Sequence, residues 1–340
     1  MQAKLSPQEG LRWTEWLGQE LRPQPTASSP KVLDLFAGCG GLALGFEAAG
    51  FHTIGYEMAS AASATYRQNL AGECHTVRLE VGQEYPHADV VIGGPPCQPF
   101  SVNGDQMGNA DGRNGFPVFL DAVRRVAPRL VIIENVKGML FRAKKYLRSV
   151  ICELEEMGYN VQTKILNARD YNVPQSRERL FIVGCVGRWS WPEPTSPVPV
   201  TVADALEDYL STPPHRPKWL NEKHDRYIAK YELKSQCANP RDLDPSKPSR
   251  TVTCRNLYAM TGDMLRVRMP DGRRRMLSVR EAARLQSFPD WFEFTGAETR
   301  QLEMIGNAVP PLLGQAVANQ AQLCLQGRTI PTDLVELCHP

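Results

Sequence analysis

Short apolar runs alternate with amphipathic segments through the first half of the chain. Runs of β-branched and apolar residues, bounded by glycine, proline or polar residues, predict buried strands. These strands are residues 32–36, 51–56, 90–93, 130–134, 161–166 and 180–186. The helices predicted between them from apolar spacing are residues 42–49, 59–70, 116–126 and 144–157. This alternation predicts an α/β fold with a doubly wound, mostly parallel sheet and right-handed connections.

The hydrophobic pattern weakens on both sides of this region. Residues 1–30 combine a short predicted helix, 7–21, with a stretch rich in proline and serine, and we interpret them as an N-terminal extension and linker outside the main fold. After residue 187 prolines become frequent, which predicts a second, smaller and irregular domain. Strand character returns at 250–254. An apolar helix is predicted at 312–325, and its pattern leaves open which sheet it covers.

Composition changes this picture little, but it excludes several classes of protein. With 340 residues, 42% of them hydrophobic and 22% charged, the chain is large enough for two globular domains. No run approaches the roughly 18 apolar residues of a membrane span, and the first residues lack a signal-peptide core. Nine cysteines without a CxxC pair, and six dispersed histidines, indicate free thiols in the cytoplasm and no metal site.

The segment GGPPCQPFS (93–101) places a cysteine, Cys97, just after a predicted strand. Ligands bind at the carboxyl ends of strands in open α/β sheets, and the two prolines before the cysteine make the turn stiff. The residues from 102 to 115 are rich in Gly, Asn and Asp and are predicted to form a mobile loop that can close over the site. The position suggests a nucleophile, and a buried structural cysteine is the alternative interpretation.

A glycine turn, AGCGG (37–41), joins the first predicted strand to the first predicted helix. Glycines allow a ligand to approach the backbone at a helix start, and Glu57, at the tip of the second strand, is suited to bind two ribose hydroxyls. The spacing is not GxGxxG, and the turn lacks the lysine with which a P-loop holds a triphosphate. These features favour a nucleoside-cofactor pocket over a merely tight connection.

Further polar groups flank two later strands. Glu134 ends the strand at 130–134, in the same crevice as Cys97, where an acid beside a thiol suits proton delivery to a ring nitrogen. The segment QSRER (175–179) presents two arginines at the start of the strand at 180–186. A strand-end carboxylate is often only a surface residue, but the shared crevice favours a function.

An arginine-rich region lies in the second half of the chain. Residues 250–284 contain nine arginines, no lysine and three acids. Such an excess is the expected footprint of contact with a phosphate backbone, and arginine favours bidentate contacts to phosphate and guanine. A solvated charged face is the alternative. We interpret the region as a nucleic-acid contact.

Five motifs occur in one order along the chain. They are DLFAGCGG (34–41), GPPCQ (94–98), ENV (134–136), QSRER (175–179) and GNAVP (306–310). In this combination the chain resembles the cytosine-C5 DNA methyltransferases of bacterial restriction-modification systems. The resemblance implies the fold of S-adenosylmethionine-dependent methyltransferases, with residues 31–187 and 308–340 forming the catalytic domain and residues 188–307 the target-recognition domain.

The resemblance also implies a mechanism. The thiolate of Cys97 adds to C6 of a cytosine flipped out of duplex DNA, which makes C5 nucleophilic. Glu134 protonates N3 and Arg179 stabilises the charge at O2, with Arg177 as a further catalytic residue. C5 then accepts a methyl group from S-adenosylmethionine, which becomes S-adenosylhomocysteine, and loss of the C5 proton releases the cysteine.

The contacts that the resemblance implies can be assigned residue by residue. The predicted cofactor contacts are Phe36, Ala37, Gly38, Cys39, Gly40, Gly41, Glu57, Met58, Glu80, Val81, Pro96, Asn307 and Ala308. Glu80 and Val81 stand in for an aspartate and an apolar residue that the family uses at the adenine. The predicted DNA contacts are Ser101, Arg113, Arg250, Arg255, Arg266 and Arg268. We further expect a monomer, with a cognate restriction endonuclease as a separate partner.

Two other functions are compatible with parts of this pattern. A branch of the same family methylates cytosine in tRNA, and the arginine-rich region does not distinguish RNA from DNA. A catalytically silent DNA-binding regulator would keep the fold, but Cys97, Glu134 and Arg179 are all present. A nicotinamide dehydrogenase is disfavoured by the missing GxGxxG, and an amino-methyltransferase by the lack of an Asp/Asn-Pro-Pro-aromatic motif.

Overall fold

A computed structural model of the protein describes residues 10–96, 114–195, 197–236, 241–258 and 263–327. The strands are β1 (Lys31–Leu35), β2 (His52–Glu57), β3 (Glu73–Thr76), β4 (Val90–Gly93), β5 (Leu130–Val136), β6 (Asn160–Asn167), β7 (Glu178–Cys185), β8 (Arg266–Arg268) and β9 (Arg274–Met276). The helices are α1 (Trp13–Glu20), α2 (Gly41–Ala48), α3 (Ser60–Asn69), α4 (Phe116–Val126), α5 (Met139–Arg142), α6 (Lys144–Glu156), α7 (Val202–Ser211), α8 (Glu222–Ser235), α9 (Cys254–Tyr258), α10 (Val279–Leu285), α11 (Glu298–Asn307) and α12 (Pro311–Leu325). None of these helices is both long and apolar enough to cross a bilayer.

Seven strands form one mixed sheet in the order β3-β2-β1-β4-β5-β7-β6. The five strands from β3 to β5 in this order run parallel, and β7 runs antiparallel between β5 and β6. All six strands predicted before residue 187 are present, each with ends within two residues of the prediction. The pattern missed β3, whose sequence ECHT buries only Cys74 and therefore carries no apolar run. The antiparallel β7 brings Arg179 opposite Val136, at the carboxyl edge of β5.

Both faces of the sheet are covered by helices, which is why its central strands are continuously apolar. Val32, Val90 and Ile132 pack on one face with residues of α2 and α12. Leu33 and Val131 pack on the other face with residues of α4 and α6. The carboxyl edge of the parallel strands stays open between these two layers, and it is the edge at which the candidate site lies.

The helix α12 returns to the first part of the chain and packs against α2. The two helices approach so closely at Gly45 that a β-carbon there would collide with the backbone of Gly314 and Gln315. The sequence left open which sheet α12 covers. This contact shows that α12 covers the seven-stranded sheet. It also places the segment before α12 beside the turn that follows β1.

The interpretation of the N-terminal helix as an element outside the main fold was wrong. Trp13, Trp16 and Leu17 are buried in the same apolar cluster as α2 and α12. The indole Nε1 of Trp13 donates a hydrogen bond of 3.1 Å to the carbonyl of Asn172. The indole of Trp291 donates one of 2.9 Å to the carbonyl of Gly18. The proline-rich stretch after α1 therefore connects two packed elements.

The strand predicted at 250–254 is also absent. Ser249 forms a single bridge with Gln175, and the chain then turns into α9 at Cys254. The amide of Val252 donates to the side-chain Oε1 of Gln175 at 2.7 Å instead of joining a strand ladder. Val252 is buried, so its β-branched side chain produced a strand-like pattern in a segment whose backbone is bonded by side chains, among them Gln175 and Arg177.

Candidate active site

A cavity of about 610 Å³ opens at the carboxyl edge of the sheet. Its wall comes from the turn after β1, the end of β2, the start of α3, the side chain of Glu134 and the helix α11 with the residues that follow it. The predicted cofactor contacts that line it are Phe36, Ala37, Gly38, Cys39, Gly41, Glu57, Met58, Asn307 and Ala308. The cavity therefore joins residues from the first and last of the five motifs.

The turn after β1 is shaped by backbone conformations that side chains rarely adopt. Gly40 has φ 87°, and a β-carbon there would lie 2.8 Å from the ring of Tyr66. Gly40 does not line the cavity, so it supports the wall from behind. Phe36 adopts φ 58°, a strained value for an aromatic residue, and its side chain faces the cavity. Strain of this kind is found where a turn must hold a ligand in a fixed place.

The carboxylate of Glu57 is held in place by two backbone donors. The amide of Gly38 donates to Oε2 at 2.9 Å, and the amide of Ala59 donates to Oε1 at 2.7 Å. These bonds link the end of β2 to the turn after β1. The carboxylate is therefore oriented at the cavity wall before a ligand arrives, and it keeps acceptor capacity for hydroxyl groups.

The structure adds cavity residues that the sequence analysis missed. Asp34 lines the cavity although it is buried within β1, and its Oδ2 has no hydrogen-bond partner in the described residues. Burial raises the pKa of Asp34 well above its usual range, and the nearby Glu57 raises it further. Arg300, Glu303 and Met304 of α11 also face the cavity. Asp34 stood inside a recognised motif but was interpreted as core, whereas the α11 residues carried no signal beyond helical spacing.

Besides Gly40, three predicted cofactor contacts do not line the cavity. Glu80 and Val81 are exposed and do not line the cavity, because β3 ends at Thr76 and the chain has already left the sheet edge. Their match to the adenine-binding position of the family is therefore not supported. Pro96 instead helps to position Gly115, because its carbonyl accepts a hydrogen bond of 3.0 Å from the amide of Gly115.

Glu134 and Arg179 form an ion pair beside the cavity. Their Oε1 and Nε atoms are 2.9 Å apart, and the side chains are 12% and 13% exposed. Burial lowers the pKa of Arg179, and Glu134 opposes that change by raising it. Gly94 lies against the pair, because a β-carbon there would be 3.2 Å from Oε2 of Glu134. The pair is thus an acid and a fixed cation on β5 and β7, beside the turn that follows β4 and leads to Cys97.

Cys97, Ser101 and Arg113 lie outside the described residues, but the chain on either side of them is well anchored. The side chain of Asn135 donates a hydrogen bond of 3.0 Å to the carbonyl of Pro95. A β-carbon at Gly115 would lie 2.5 Å from Pro96, so the two ends of the intervening segment pack closely together. The described geometry leads the chain into this segment next to Glu134.

Arg177 was predicted to be catalytic, and the structure places it elsewhere. Its side chain is completely buried. Nη1 donates to the carbonyl of Val252 at 2.6 Å, and Nη2 donates to those of Gly306 at 3.2 Å and Ala308 at 3.0 Å. Burial and the neighbouring Arg179 lower its pKa well below the usual range. Arg177 therefore positions the segment that forms the far wall of the cavity and does not line the cavity itself.

Replacing Arg177 with glutamine is expected to lower the free energy of unfolding by about 3 kcal/mol, because three buried carbonyls lose their donor. Urea denaturation followed by circular dichroism measures the change. Arg169→Gln is the matched control, since Arg169 is exposed and its ion-pair partner in the described ranges is the neighbouring Asp170. Its expected cost is below about 0.5 kcal/mol. Equal stability of the two variants would contradict the positioning role.

The arginine-rich region is largely an internal ion-pair network. Arg266 is fully buried between Glu232 at 2.9 Å and Asp242 at 2.6 Å, so the prediction that it contacts DNA was wrong. Most of the other arginines in the region are also engaged within the protein: Arg273 with Asp271, Arg274 with Asp225 and Asp242, Arg275 with Glu281, Arg280 with backbone carbonyls, and Arg284 with Asp290. Several of their partners lie outside residues 250–284, which is why counting charges in that window overestimated the free positive charge.

Three arginines that were predicted to contact DNA remain accessible. Arg255 on α9 and Arg268 on β8 are exposed and have no side-chain partner in the described residues. Arg250 pairs with Asp263 at 3.1 Å and is only partly exposed. Whether any of them contacts nucleic acid stays a prediction.

Known proteins resemble this chain over most of its length. Residues 30–323 match the family described as C-5 cytosine-specific DNA methylase. Type II methyltransferase M.AplI of Arthrospira platensis is 53% identical over 327 residues, 95% of each chain. Type II methyltransferase M1.HphI of Haemophilus parahaemolyticus is 35% identical, covering 84% of this chain and 85% of the relative. A crystal structure of a putative DNA modification methyltransferase encoded within an E. coli prophage aligns with TM-score 0.66 at 23% identity, covering 88% of this chain and 100% of that chain. The predicted fold class is confirmed.

Proposed function

The chain belongs to the C-5 cytosine-specific DNA methylase family, and we propose that it reaches its product through a covalent bond between Cys97 and C6 of a flipped-out cytosine. The reaction of the family is methylation of cytosine in DNA at C5, and its methyl donor is S-adenosylmethionine. The observation that carries the proposal is the ion pair between Glu134 and Arg179, which lies between the cavity and the turn that leads to Cys97.

A covalent route overcomes the low reactivity of cytosine. C5 of cytosine is too weak a nucleophile to attack a methyl donor directly. When the thiolate of Cys97 adds to C6, electron density moves to C5 and the ring becomes an enamine. That addition develops negative charge on N3 and O2 of the base. Glu134, as the group that delivers a proton to N3, and the guanidinium of Arg179 at O2 match those two positions in chemistry.

The adduct must then be resolved. After C5 has gained its methyl group, loss of the C5 proton and cleavage of the bond between sulfur and C6 restore the aromatic ring and release Cys97. The groups that react in these steps approach the base at its face and at its edge. A stacked and paired cytosine exposes neither. The cytosine therefore has to leave the duplex, at a cost of a few kcal/mol in stacking and pairing.

The residues around the cavity fit the methyl donor. S-adenosylmethionine, when bound, supplies a methyl group activated by a positively charged sulfur. The carboxylate of Asp34, whose Oδ2 has no hydrogen-bond partner among the described residues, and the oriented carboxylate of Glu57 face this cavity, which suits a ligand carrying positive charge and ribose hydroxyls. We propose that Glu57 binds the ribose hydroxyls and that Asp34 lies near the cationic part of the ligand, with Phe36 and Met58 packing against the adenine.

Replacing Glu57 with glutamine is expected to weaken binding of S-adenosylmethionine by about 10- to 100-fold, because hydrogen bonds to a charged acceptor contribute roughly 1.5–3 kcal/mol. Isothermal titration calorimetry measures the affinity. Glu84→Gln serves as the control, since Glu84 is highly exposed and pairs with Arg125. Unchanged affinity in the Glu57 variant would remove this residue from the cofactor site.

The target and its reading by the protein are further proposals. We propose that residues 188–307 read a short sequence in duplex DNA, and that Arg255 and Arg268 contact it. We also propose that the protein acts as a monomer in the cytoplasm, beside a cognate restriction endonuclease. Bisulfite sequencing of a plasmid from cells that express the protein reports activity, position and target together. Methyl label that enters only tRNA, with the plasmid unmodified, would overturn the DNA assignment.

A further inference from the structure

A basic surface lies on α5 and the start of α6. It consists of Arg142, Lys144, Lys145 and Arg148, and we call it the basic rim. All four side chains are exposed, and none has an ion-pair or hydrogen-bond partner in the part of the chain that the structure describes. The sequence from 135 to 152 contains no aspartate or glutamate. The rim is therefore a concentration of uncompensated positive charge.

The basic rim lies at the edge of the sheet that carries the candidate active site. The helix α5 follows directly from β5, the strand that carries Glu134. The hydroxyl of Tyr146, in the first turn of α6, accepts a hydrogen bond of 2.7 Å from the side chain of Asn114. The rings of Tyr146 and Phe116 are also in contact, with centroids 5.6 Å apart. The rim thus follows the strand that carries Glu134 and adjoins the chain at Asn114 and Phe116, which returns from Cys97.

This arrangement of charges does not stabilise the fold. Lys144 and Lys145 occupy the first turn of α6, where the helix dipole favours acids over cations. Lys144 and Arg148 are one helical turn apart and repel each other. Several other exposed arginines in this domain have carboxylate partners, as Arg124 does in Glu153 at 2.9 Å. A cluster of positive charges that is unfavourable in the free protein is expected on a surface that binds a negatively charged partner.

We propose that the basic rim binds phosphate groups of the duplex on the catalytic side of the flipped cytosine. The inference rests on the proposed function, because a duplex whose cytosine reaches Glu134 must pass this edge of the sheet. Phosphates are the complementary charge, and lysines contact them as point charges without reading sequence. The exposed ring of Phe141, 70% accessible, lies within the same surface and is available to pack against the sugars. This surface is separate from residues 188–307, which contain all but two of the predicted DNA contacts.

The test compares salt dependence of DNA binding in matched variants. For the double variant Lys144→Gln/Lys145→Gln, the slope of log affinity against log salt is expected to become shallower by about 1 to 2, since each phosphate contact contributes about 0.9. The affinity for specific and for unrelated duplexes falls together, by about tenfold at moderate salt. The charge-preserving variant Lys144→Arg/Lys145→Arg keeps the slope of the unmodified protein. Lys31→Gln removes an exposed cation at the opposite edge of the sheet and also keeps it.

The outcomes separate this inference from the proposed function. If the slope is unchanged in the glutamine double variant and the unmodified protein methylates DNA normally, the basic rim does not bind phosphate groups. The proposed function is then unaffected. The proposal is also overturned if the glutamine double variant loses more affinity for duplex RNA than for duplex DNA. If the unmodified protein does not methylate DNA, the function itself fails. Calorimetry with S-adenosylmethionine and thermal unfolding are expected to give unchanged values in the glutamine variant, which excludes a general loss of structure.

Discussion

Replacing Cys97 with alanine is expected to abolish methyl transfer while binding of DNA and of S-adenosylmethionine persists. The side chain that attacks C6 is then absent, and C5 stays too weakly nucleophilic to react. A loss of at least about 10⁴-fold in turnover is expected, as for other enzymes that lose their nucleophile. Transfer of radiolabelled methyl groups into plasmid DNA measures turnover, and gel mobility shift measures binding. Residual turnover near that of the unmodified protein would refute the nucleophile role.

The covalent adduct itself can be trapped. A duplex with 5-fluorocytosine at the target has no C5 proton to lose, so the bond between Cys97 and C6 persists after methylation. The unmodified protein is expected to form a complex that survives denaturing electrophoresis, and Cys97→Ala is not. Cys152→Ala is the matched control, because Cys152 is an exposed cysteine on α6, outside the proposed chemistry. An adduct that forms equally in the Cys97 variant would assign the nucleophile to another residue.

Replacing Glu134 with glutamine is expected to lower turnover by about 10²- to 10⁴-fold, the usual contribution of a positioned acid. Glutamine keeps the shape and can still hydrogen-bond to the base, but it cannot deliver a proton to N3. It also leaves the guanidinium of Arg179 without its opposite charge at 2.9 Å. Binding of DNA is expected to change much less than turnover, because the lost interaction belongs to the transition state.

Glu178→Gln is the control for this variant. Glu178 precedes Arg179 on β7 and pairs with Lys137 at 2.9 Å in an exposed position. Its replacement is expected to leave turnover within about twofold, since exposed ion pairs contribute little. The double variant Glu134→Gln/Arg179→Gln is expected to lose less than the product of the two single losses, because the two groups act together. Strictly multiplicative losses would show that they act independently.

The local motifs predicted the site better than the charge pattern did. The turn after β1, Glu57 and Glu134 were assigned from their positions at the ends of strands, and parallel strands necessarily bring such ends to one edge, whereas the role of Arg179 came from its motif. Arg179 is instructive, because it precedes its strand. It reaches the same edge only because β7 runs antiparallel to β5, a feature that the apolar pattern of β7 does not reveal.

What the sequence could not predict depended on partners far apart in the chain. Arg177 and Arg179 belong to one motif, yet one is buried among carbonyls from residues 252–308 and the other pairs with Glu134. Arg266 has its carboxylates at positions 232 and 242, outside the window in which the charges were counted. A residue count registers charge but not whether it is already neutralised. The basic rim differs from this region, because none of its four side chains has an ion-pair partner among the described residues.

The docking of α1 has a spectroscopic consequence. The protein contains six tryptophans, and three of them, Trp13, Trp16 and Trp291, lie at the joint between α1 and the rest of the fold. Arg22 packs over the ring of Trp291, 4.6 Å from its centroid. If α1 detaches, two buried indoles enter water and their emission shifts to longer wavelengths. Intrinsic fluorescence thus reports, without a label, whether the first turns of the chain are in place.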